Sequence, residues 1–134
     1  MSRLTWAIAL LLSSLTLGCT DEPDGTPPSI SNLQFAPTTL LAESYNPVTA
    51  SLTFVDPDAD VLDLGVEIEL PDGSHQVLPL TDVRNSAGTS EGTIQISLSI
   101  APPAVGTYRF ELWLEDAIGH ESNHLEATAE AVPF

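Results

Sequence analysis

The sequence contains no lysine, and its only basic residues besides histidine are Arg3, Arg84 and Arg109. All nineteen acidic residues lie after residue 19, where only two arginines oppose them, so this part of the chain has a formal net charge of −17 at pH 7. Such a surface repels phosphate backbones and anionic lipid headgroups. The composition therefore excludes a nucleic-acid partner, and it indicates either a solubilising surface or one that binds divalent cations.

Cysteine is almost absent, because Cys19 is the only one, and this excludes an intrachain disulfide. An apolar run of fourteen residues, Leu4 to Leu17, precedes it. The run is too short to span a bilayer comfortably but is typical of a signal-peptide core. Its end, LTLGC, resembles a bacterial lipobox, although Thr16 stands where such motifs usually carry leucine. The resemblance implies cleavage before Cys19 and attachment of lipid to that cysteine.

Three segments follow from this interpretation. Residues 1–18 are predicted to be a lipoprotein signal peptide, and residues 19–29 to be the lipidated cysteine with an acidic, proline-rich tether. Residues 30–134 form the predicted domain. The lipid would hold an exported protein on a bacterial membrane, and Thr20 after the cysteine favours the outer membrane over the inner one. A plain secretory signal with an unmodified cysteine is the alternative.

The domain has no convincing helical pattern, and its apolar residues alternate with polar ones instead. A period of two is the mark of half-buried strands. Seven segments show it: 30–35, 48–55, 64–70, 75–80, 92–100, 107–115 and 124–132. Seven short strands separated by turn signals predict an all-β fold, a seven-stranded antiparallel sandwich of two sheets.

The stretch VGTYRFELW resembles the sixth strand of immunoglobulin-like and fibronectin-III-like domains. FVDPDAD and LEDAIGHESN are similar to loops of bacterial PKD-, cadherin- and Ig-like modules. The resemblance implies that Tyr108 forms a tyrosine corner, its hydroxyl bonding to the backbone a few residues upstream, and that Phe110 points into the core. The chain departs from antibody domains in lacking both core cysteines and a tryptophan on the third strand.

Residues His120 to His124, HESNH, match the H-E-x-x-H signature of zinc peptidases. In such enzymes the motif lies on a helix, so that both histidines reach one ion and Glu121 acts as general base. On a strand, residues four apart are about 13 Å apart, which is too far for one ion. Gly119 and the DAIGH turn favour a hairpin here, so we expect no enzyme. A small zinc metallopeptidase built on His120, Glu121 and His124 is the alternative if residues 117–131 are helical.

Two acidic loops are expected at the same end of an Ig-like sandwich. They would bring Asp56, Asp58 and Asp60 close to Glu115 and Asp116. Carboxylate oxygens in a flexible cluster suit Ca²⁺, and cadherin-like modules use similar D-x-D patterns. Two interpretations stay open: a calcium site, or a solvated turn in which the aspartates serve backbone geometry.

Trp113 alternates outward on its predicted strand. It is interpreted either as a surface packing residue or as an aromatic platform for a carbohydrate ligand. No phosphate loop, nucleophile elbow or C-x-x-C motif occurs in the sequence. The leading hypothesis is a lipid-anchored envelope protein with a non-catalytic Ig-like interaction or structural module, whose partner is an envelope protein or a polysaccharide. A carbohydrate-binding module is a further alternative.

Overall fold

Two β-sheets enclose one apolar core in residues 25–134, which a computed structural model describes apart from residue 87. The predicted signal peptide, Cys19 and the first half of the tether lie outside the described residues. No helix in the described part of the chain is long and apolar enough to cross a membrane.

The described residues form nine strands. They are β1 (Ser29–Ala36), β2 (Thr39–Leu41), β3 (Asn46–Val55), β4 (Val61–Glu69), β5 (His75–Val77), β6 (Thr81–Asp82), β7 (Glu91–Ile100), β8 (Gly106–Asp116) and β9 (Leu125–Val132). A short 3-10 turn, Arg84–Ser86, follows β6.

The strands divide unequally between the two sheets. One sheet has three strands in the order β1-β3-β7, all antiparallel. The other has the order β2-β9-β8-β4-β5, with β6 also pairing with β4. The chain crosses between the sheets several times, and these crossings produce a sandwich rather than a meander.

The predicted sandwich is confirmed as an all-β fold, but the predicted number of strands is wrong. Each of the seven predicted segments overlaps a strand, whereas β2 and β6 were not predicted. They contain three and two residues, which is too few to show an alternating pattern. The fold is also not purely antiparallel, because β2 runs parallel to β9.

Period-two alternation accounts for the core. On β3 the buried positions are Val48, Ala50, Leu52 and Phe54, and the residues between them face outward. Phe110 on β8 is fully buried and contacts the ring of Phe35 from the opposite sheet, with centroids 4.7 Å apart. Burying such a side chain contributes about 1.5–3 kcal/mol, so these inward rows supply the main stabilisation.

Tyr108 lies at the start of β8 and is almost completely buried. Its hydroxyl donates a hydrogen bond to the carbonyl of Ala104 at 2.8 Å and accepts one from the amide of the same residue at 3.2 Å. One side chain thereby holds both backbone groups of a residue in the loop that leads into β8.

Candidate acidic site

The loop after β3 and the loop after β8 meet at one end of the sandwich. The amide of Ala117 donates to the carbonyl of Asp60 at 2.9 Å, which joins the two loops directly. Asp56, which directly follows β3, and Asp116, the last residue of β8, are both buried. The topology therefore brings acidic residues that are about sixty positions apart in sequence to the same place.

Asp56 organises the first of these loops. Its carboxylate accepts the amide of Asp60 at 2.8 Å and, more weakly, the amide of Asp58 at 3.3 Å. Its carbonyl accepts the amide of Ala59, which has φ of 53°. This tight turn brings one carboxylate oxygen from each of Asp56, Asp58 and Asp60 to within 4.8 Å of one another. In the described residues no other group of three or more histidine, cysteine or acidic side chains could hold one ion.

Asp60 is the residue of this cluster whose pKa is raised by its surroundings. Burial raises the pKa of its carboxyl above the ordinary value, and a hydrogen bond with Asp56 and the charges of Asp116, Asp56 and Asp58 raise it further. Its Oδ1 atom is buried and has no hydrogen-bond partner among the described residues. A cation, or a proton at lower pH, would relieve both the repulsion and the unpaired oxygen.

The other two predicted ligands are placed differently. Asp116 lies close enough to Asp60 to raise its pKa, but Oδ1 of Asp116 accepts the amides of Ile118 and His120 at 3.0 and 2.8 Å. Its Oδ2 lies 3.0 Å from Nδ1 of His120. Glu115 is the neighbour of Asp116 on β8, and successive strand residues point to opposite faces. The structure therefore groups three of the five predicted residues, places Asp116 beside them and directs Glu115 to the other face.

The H-E-x-x-H segment is not helical. Residues 117–124 form a turn and irregular chain that ends at β9, with a single bridge between Glu115 and Glu121. The ring nitrogen Nδ1 of His120 lies 3.0 Å from Asp116, whereas Nδ1 of His124 lies 2.8 Å from Glu111. The helix that the zinc-peptidase alternative requires is absent from the described chain, and the two imidazoles have separate carboxylate partners.

Of the two interpretations of Trp113, its burial favours a packing residue on the outer face of the sheet over an exposed aromatic platform. The ring lies on the outer face of β8 but is only 7% exposed. It stacks on the imidazole of His124, with centroids 4.8 Å apart and an interplanar angle of 11°. It also covers Gly65, where an added Cβ would come within 2.2 Å of the ring. Too little of the ring is accessible for a sugar to stack on it.

Gly65 is the residue that the sequence interpretation missed. It lies in the middle of β4 and pairs with Trp113 across the sheet. A lone glycine inside a strand often marks a close approach by another group, and this signal was present in LGVEIEL.

No protein-family model matches the chain, and no curated protein matches its sequence. Solved structures with the same fold were found. The PKD domain of an M14-like peptidase from Thermoplasmatales archaeon SCGC AB-540-F20 has a TM-score of 0.51 at 20% identity, covering 80% of this chain and 97% of that one. A Niemann-Pick type C2 protein from Japanese carpenter ant has a TM-score of 0.54 at 9% identity, covering 81% and 95%.

These similarities identify the fold as an Ig-like β-sandwich that resembles a PKD domain. A third neighbour shows how widely the fold is used. The alkylpurine DNA glycosylase AlkC from Pseudomonas fluorescens has a TM-score of 0.52 at 14% identity, covering 80% of this chain but 31% of that one. A fold shared by such different proteins does not assign a function, so the function must be argued from the residues of this chain.

Proposed function

We propose that this Ig-like sandwich is a non-catalytic interaction or structural module, held at the surface of a bacterial membrane by a lipid on Cys19. The support for the anchor is the sequence of residues 4–19, an apolar run that ends in the only cysteine of the chain. The support for the module is the two-sheet sandwich, whose similarity to a PKD domain fits a binding or spacing role.

The observation that carries the non-catalytic part of the proposal is the separation of the titratable groups. The three histidines contact different carboxylates: His75 contacts Glu67, His120 contacts Asp116, and His124 contacts Glu111 and, at 3.7 Å, Glu121. Catalysis by general acids, bases or a metal requires such groups to converge on one reacting atom. Here they are distributed over the outer face and one end of the sandwich.

Changing Cys19 tests the anchor. Cys19→Ser removes the sulfur that would carry the lipid, so the protein should move from the membrane fraction to the soluble fraction. Lipid attachment gives stable anchoring because each buried CH₂ contributes about 0.8 kcal/mol. The measurement is the distribution of the protein between sedimented membranes and supernatant, with Ser14→Ala in the apolar run as the control that should stay in the membranes. Recovery of Cys19→Ser in membranes at the wild-type level would rule out the anchor.

We also propose that the acidic cluster of Asp56, Asp58 and Asp60 binds Ca²⁺. Asp56, Asp58 and Asp60 can each offer one oxygen to a shared ion, and the unpaired Oδ1 of Asp60 supports this arrangement. Ca²⁺ takes six to eight oxygen ligands, so backbone carbonyls and water would supply the rest. The ion would fix the loop after β3 in its tight turn and stabilise that end of the sandwich.

Melting temperatures in calcium, in magnesium and in chelator at equal ionic strength test the calcium site. At calcium one hundredfold above its Kd, binding adds about 2.7 kcal/mol to the free energy of unfolding. We expect calcium to raise the melting temperature more than magnesium does. Asp58→Asn combined with Asp60→Asn should abolish the difference, whereas Glu126→Gln combined with Glu130→Gln on β9 should preserve it. Equal melting of the wild type in all three solutions would identify the cluster as plain surface charge.

A further inference from the structure

Strand β7 forms one edge of the three-stranded sheet. Among the strands of residues 25–134 it pairs with β3 alone, over ten consecutive residue pairs and without a register shift. A strand at the edge of a sheet presents one row of backbone N–H and C=O groups to whatever lies beside it. The long, regular edge of β7 is therefore suited to pairing with a further strand.

The hydrogen bonds next to β7 show which of its backbone groups point outward. The amide of Asp56 donates to the carbonyl of Ser90 at 2.7 Å, one position before the strand begins. In an antiparallel ladder, bonded and non-bonded pairs alternate, so the even-numbered residues of β7 bond to β3. The side chain of Asn46 on β3 bonds to the carbonyl of Ile100, in agreement with this alternation. The outward groups belong to Thr93, Gln95, Ser97 and Ser99.

Nothing in the sequence of β7 protects this edge. Natural sheets block their edges with charged residues, prolines or bulges. Between Gly92 and Ile100 there is no charge and no proline, and the register has no bulge. The opposite edge differs, because β1 has a register shift and the side chain of Asn123 bonds to both the amide and the carbonyl of Ile30.

The three-stranded sheet is also the uncharged side of a strongly anionic molecule. Glu91, at the start of β7, is the only charged residue in its three strands. The strands of the other sheet, in contrast, carry nine acidic side chains, on β4, β6, β8 and β9. Two copies of the chain would repel each other through that sheet and through the acidic loops, but not through β7.

We propose that β7 pairs with β7 of a second copy of this chain, antiparallel and about a two-fold axis, so that two three-stranded sheets become one six-stranded sheet. With the axis at Ile96, Gln95 lies opposite Ser97 of the second copy, and Ile94 lies opposite Leu98 of the second copy. Polar side chains then meet polar ones on the outer face, and apolar ones meet on the core side. Four residue pairs exchange two bonds each, about eight backbone hydrogen bonds in all.

The same pairing keeps the remaining charges apart. The two copies of Glu91 lie at opposite ends of the shared ladder, about 34 Å from each other at 3.4 Å per residue. This exceeds the screening length of about 8 Å in physiological salt, so their repulsion is negligible. Leu98 is only partly buried in the single chain, and pairing would cover it further.

A groove beside β7 leaves room for the added strand. It has a volume of about 400 Å³ and lies between β7 and the segment formed by β6 and the 3-10 turn. Asp82 is the one acidic residue in its lining, and Arg84 offsets that charge through a contact of 2.8 Å. The approach to the edge is therefore nearly neutral.

Site-directed cross-linking in intact cells tests the pairing. Gln95 on β7 and Gln34 on β1 occupy the same row of the sheet through Ser51, and both are exposed, so they form a matched pair. Gln95→Cys should give a covalent dimer with a short bismaleimide, whereas Gln34→Cys should not. The wild-type chain reports any background from Cys19. Equal yields at both positions, or no dimer at either, would overturn the proposal.

Two substitutions of Ser97 distinguish dimerisation through backbone hydrogen bonds from dimerisation through side-chain contacts. The outward amide of Ser97 does not bond to β3, so Ser97→Pro should leave the fold intact and remove a bond to the second copy. Ser97→Ala keeps that amide. By light scattering of the full chain in detergent, the wild type and Ser97→Ala should be dimers and Ser97→Pro a monomer of unchanged melting temperature. A wild type that is monomeric at every concentration would refute pairing between copies. Pairing of β7 only with a strand of another protein would refute it as well.

Discussion

Single polar side chains hold backbone segments that the strand ladders leave unpaired. Asn46 bonds to both backbone groups of Leu41 and to the carbonyls of Ser44 and Ile100, so it ties the loop before β3 to the end of β7. Asn123 does the same for β1, and Tyr108 for the loop before β8. Removing such a group leaves buried backbone without a partner, which costs more than the bond itself contributes.

The hydroxyl of Tyr108 can be tested against the second tyrosine of the chain. Tyr108→Phe should lower the free energy of unfolding by about 1 kcal/mol, because the carbonyl of Ala104 loses its donor. Tyr45→Phe is the control and should have no effect, since Tyr45 is 79% exposed. Denaturant unfolding at neutral pH measures both. Equal stabilities of the two variants would show that the buried hydroxyl contributes nothing.

Strands β4 and β8 show how one small residue shapes an element. They pair along most of their length, and Gly65 provides the space in which the ring of Trp113 lies against β4. His124 covers the ring from the chain before β9, and its imidazole is held by Glu111 on β8. Three segments of the larger sheet are therefore joined on its outer face by one aromatic contact.

Gly65→Ala should disturb this contact. The added methyl group would come within 2.2 Å of the indole, so the ring must move, and overpacking of this kind costs about 1–3 kcal/mol. Trp113 is the only tryptophan after the predicted signal peptide, so its fluorescence reports the change directly. We expect a lower melting temperature and a red-shifted emission. Gly65→Ala combined with Trp113→Phe should recover part of the stability, and a single variant with wild-type emission and melting would contradict the packing.

The elements that could be predicted from the sequence are those with several alternating residues. β3, β7 and β8 each repeat the pattern over ten or eleven positions, so the faces of their residues were assigned correctly. β2 and β6 were missed because pairing with a neighbouring strand, rather than any local pattern, defines them. The near-complete burial of Trp113 could not be read from its strand because it depends on Gly65 and His124, which come from other segments.

Only the local part of the acidic site could be predicted from the sequence. DPDAD is local, and the convergence of Asp56, Asp58 and Asp60 follows from one tight turn. Whether a residue at the end of β8 reaches the acidic site depends on the face of the strand on which it lies. Glu115 and Asp116 are successive residues, so they lie on opposite faces and only Asp116 is beside the site. The H-E-x-x-H match lacks the helix that would place both histidines on one metal ion.

The molecule as a whole has two electrically different sides. The larger sheet and one end of the sandwich carry most of the acidic residues, and the outer face of the three-stranded sheet presents hydroxyl and amide groups. A net charge far from zero keeps proteins soluble and disfavours contact with anionic partners. We expect the uncharged sheet to be the side through which partners approach the proposed membrane-anchored domain.

The central claim, a domain anchored by lipid on Cys19, can be tested most directly by the mass of one peptide. Trypsin cuts only after arginine in this lysine-free chain, so a protein cleaved before Cys19 yields a fragment of residues 19–84. We predict that the protein extracted from membranes gives this fragment with the added mass of two or more acyl chains. A fragment of residues 4–84, or an unmodified fragment beginning at Cys19 or at any other residue, would contradict the account.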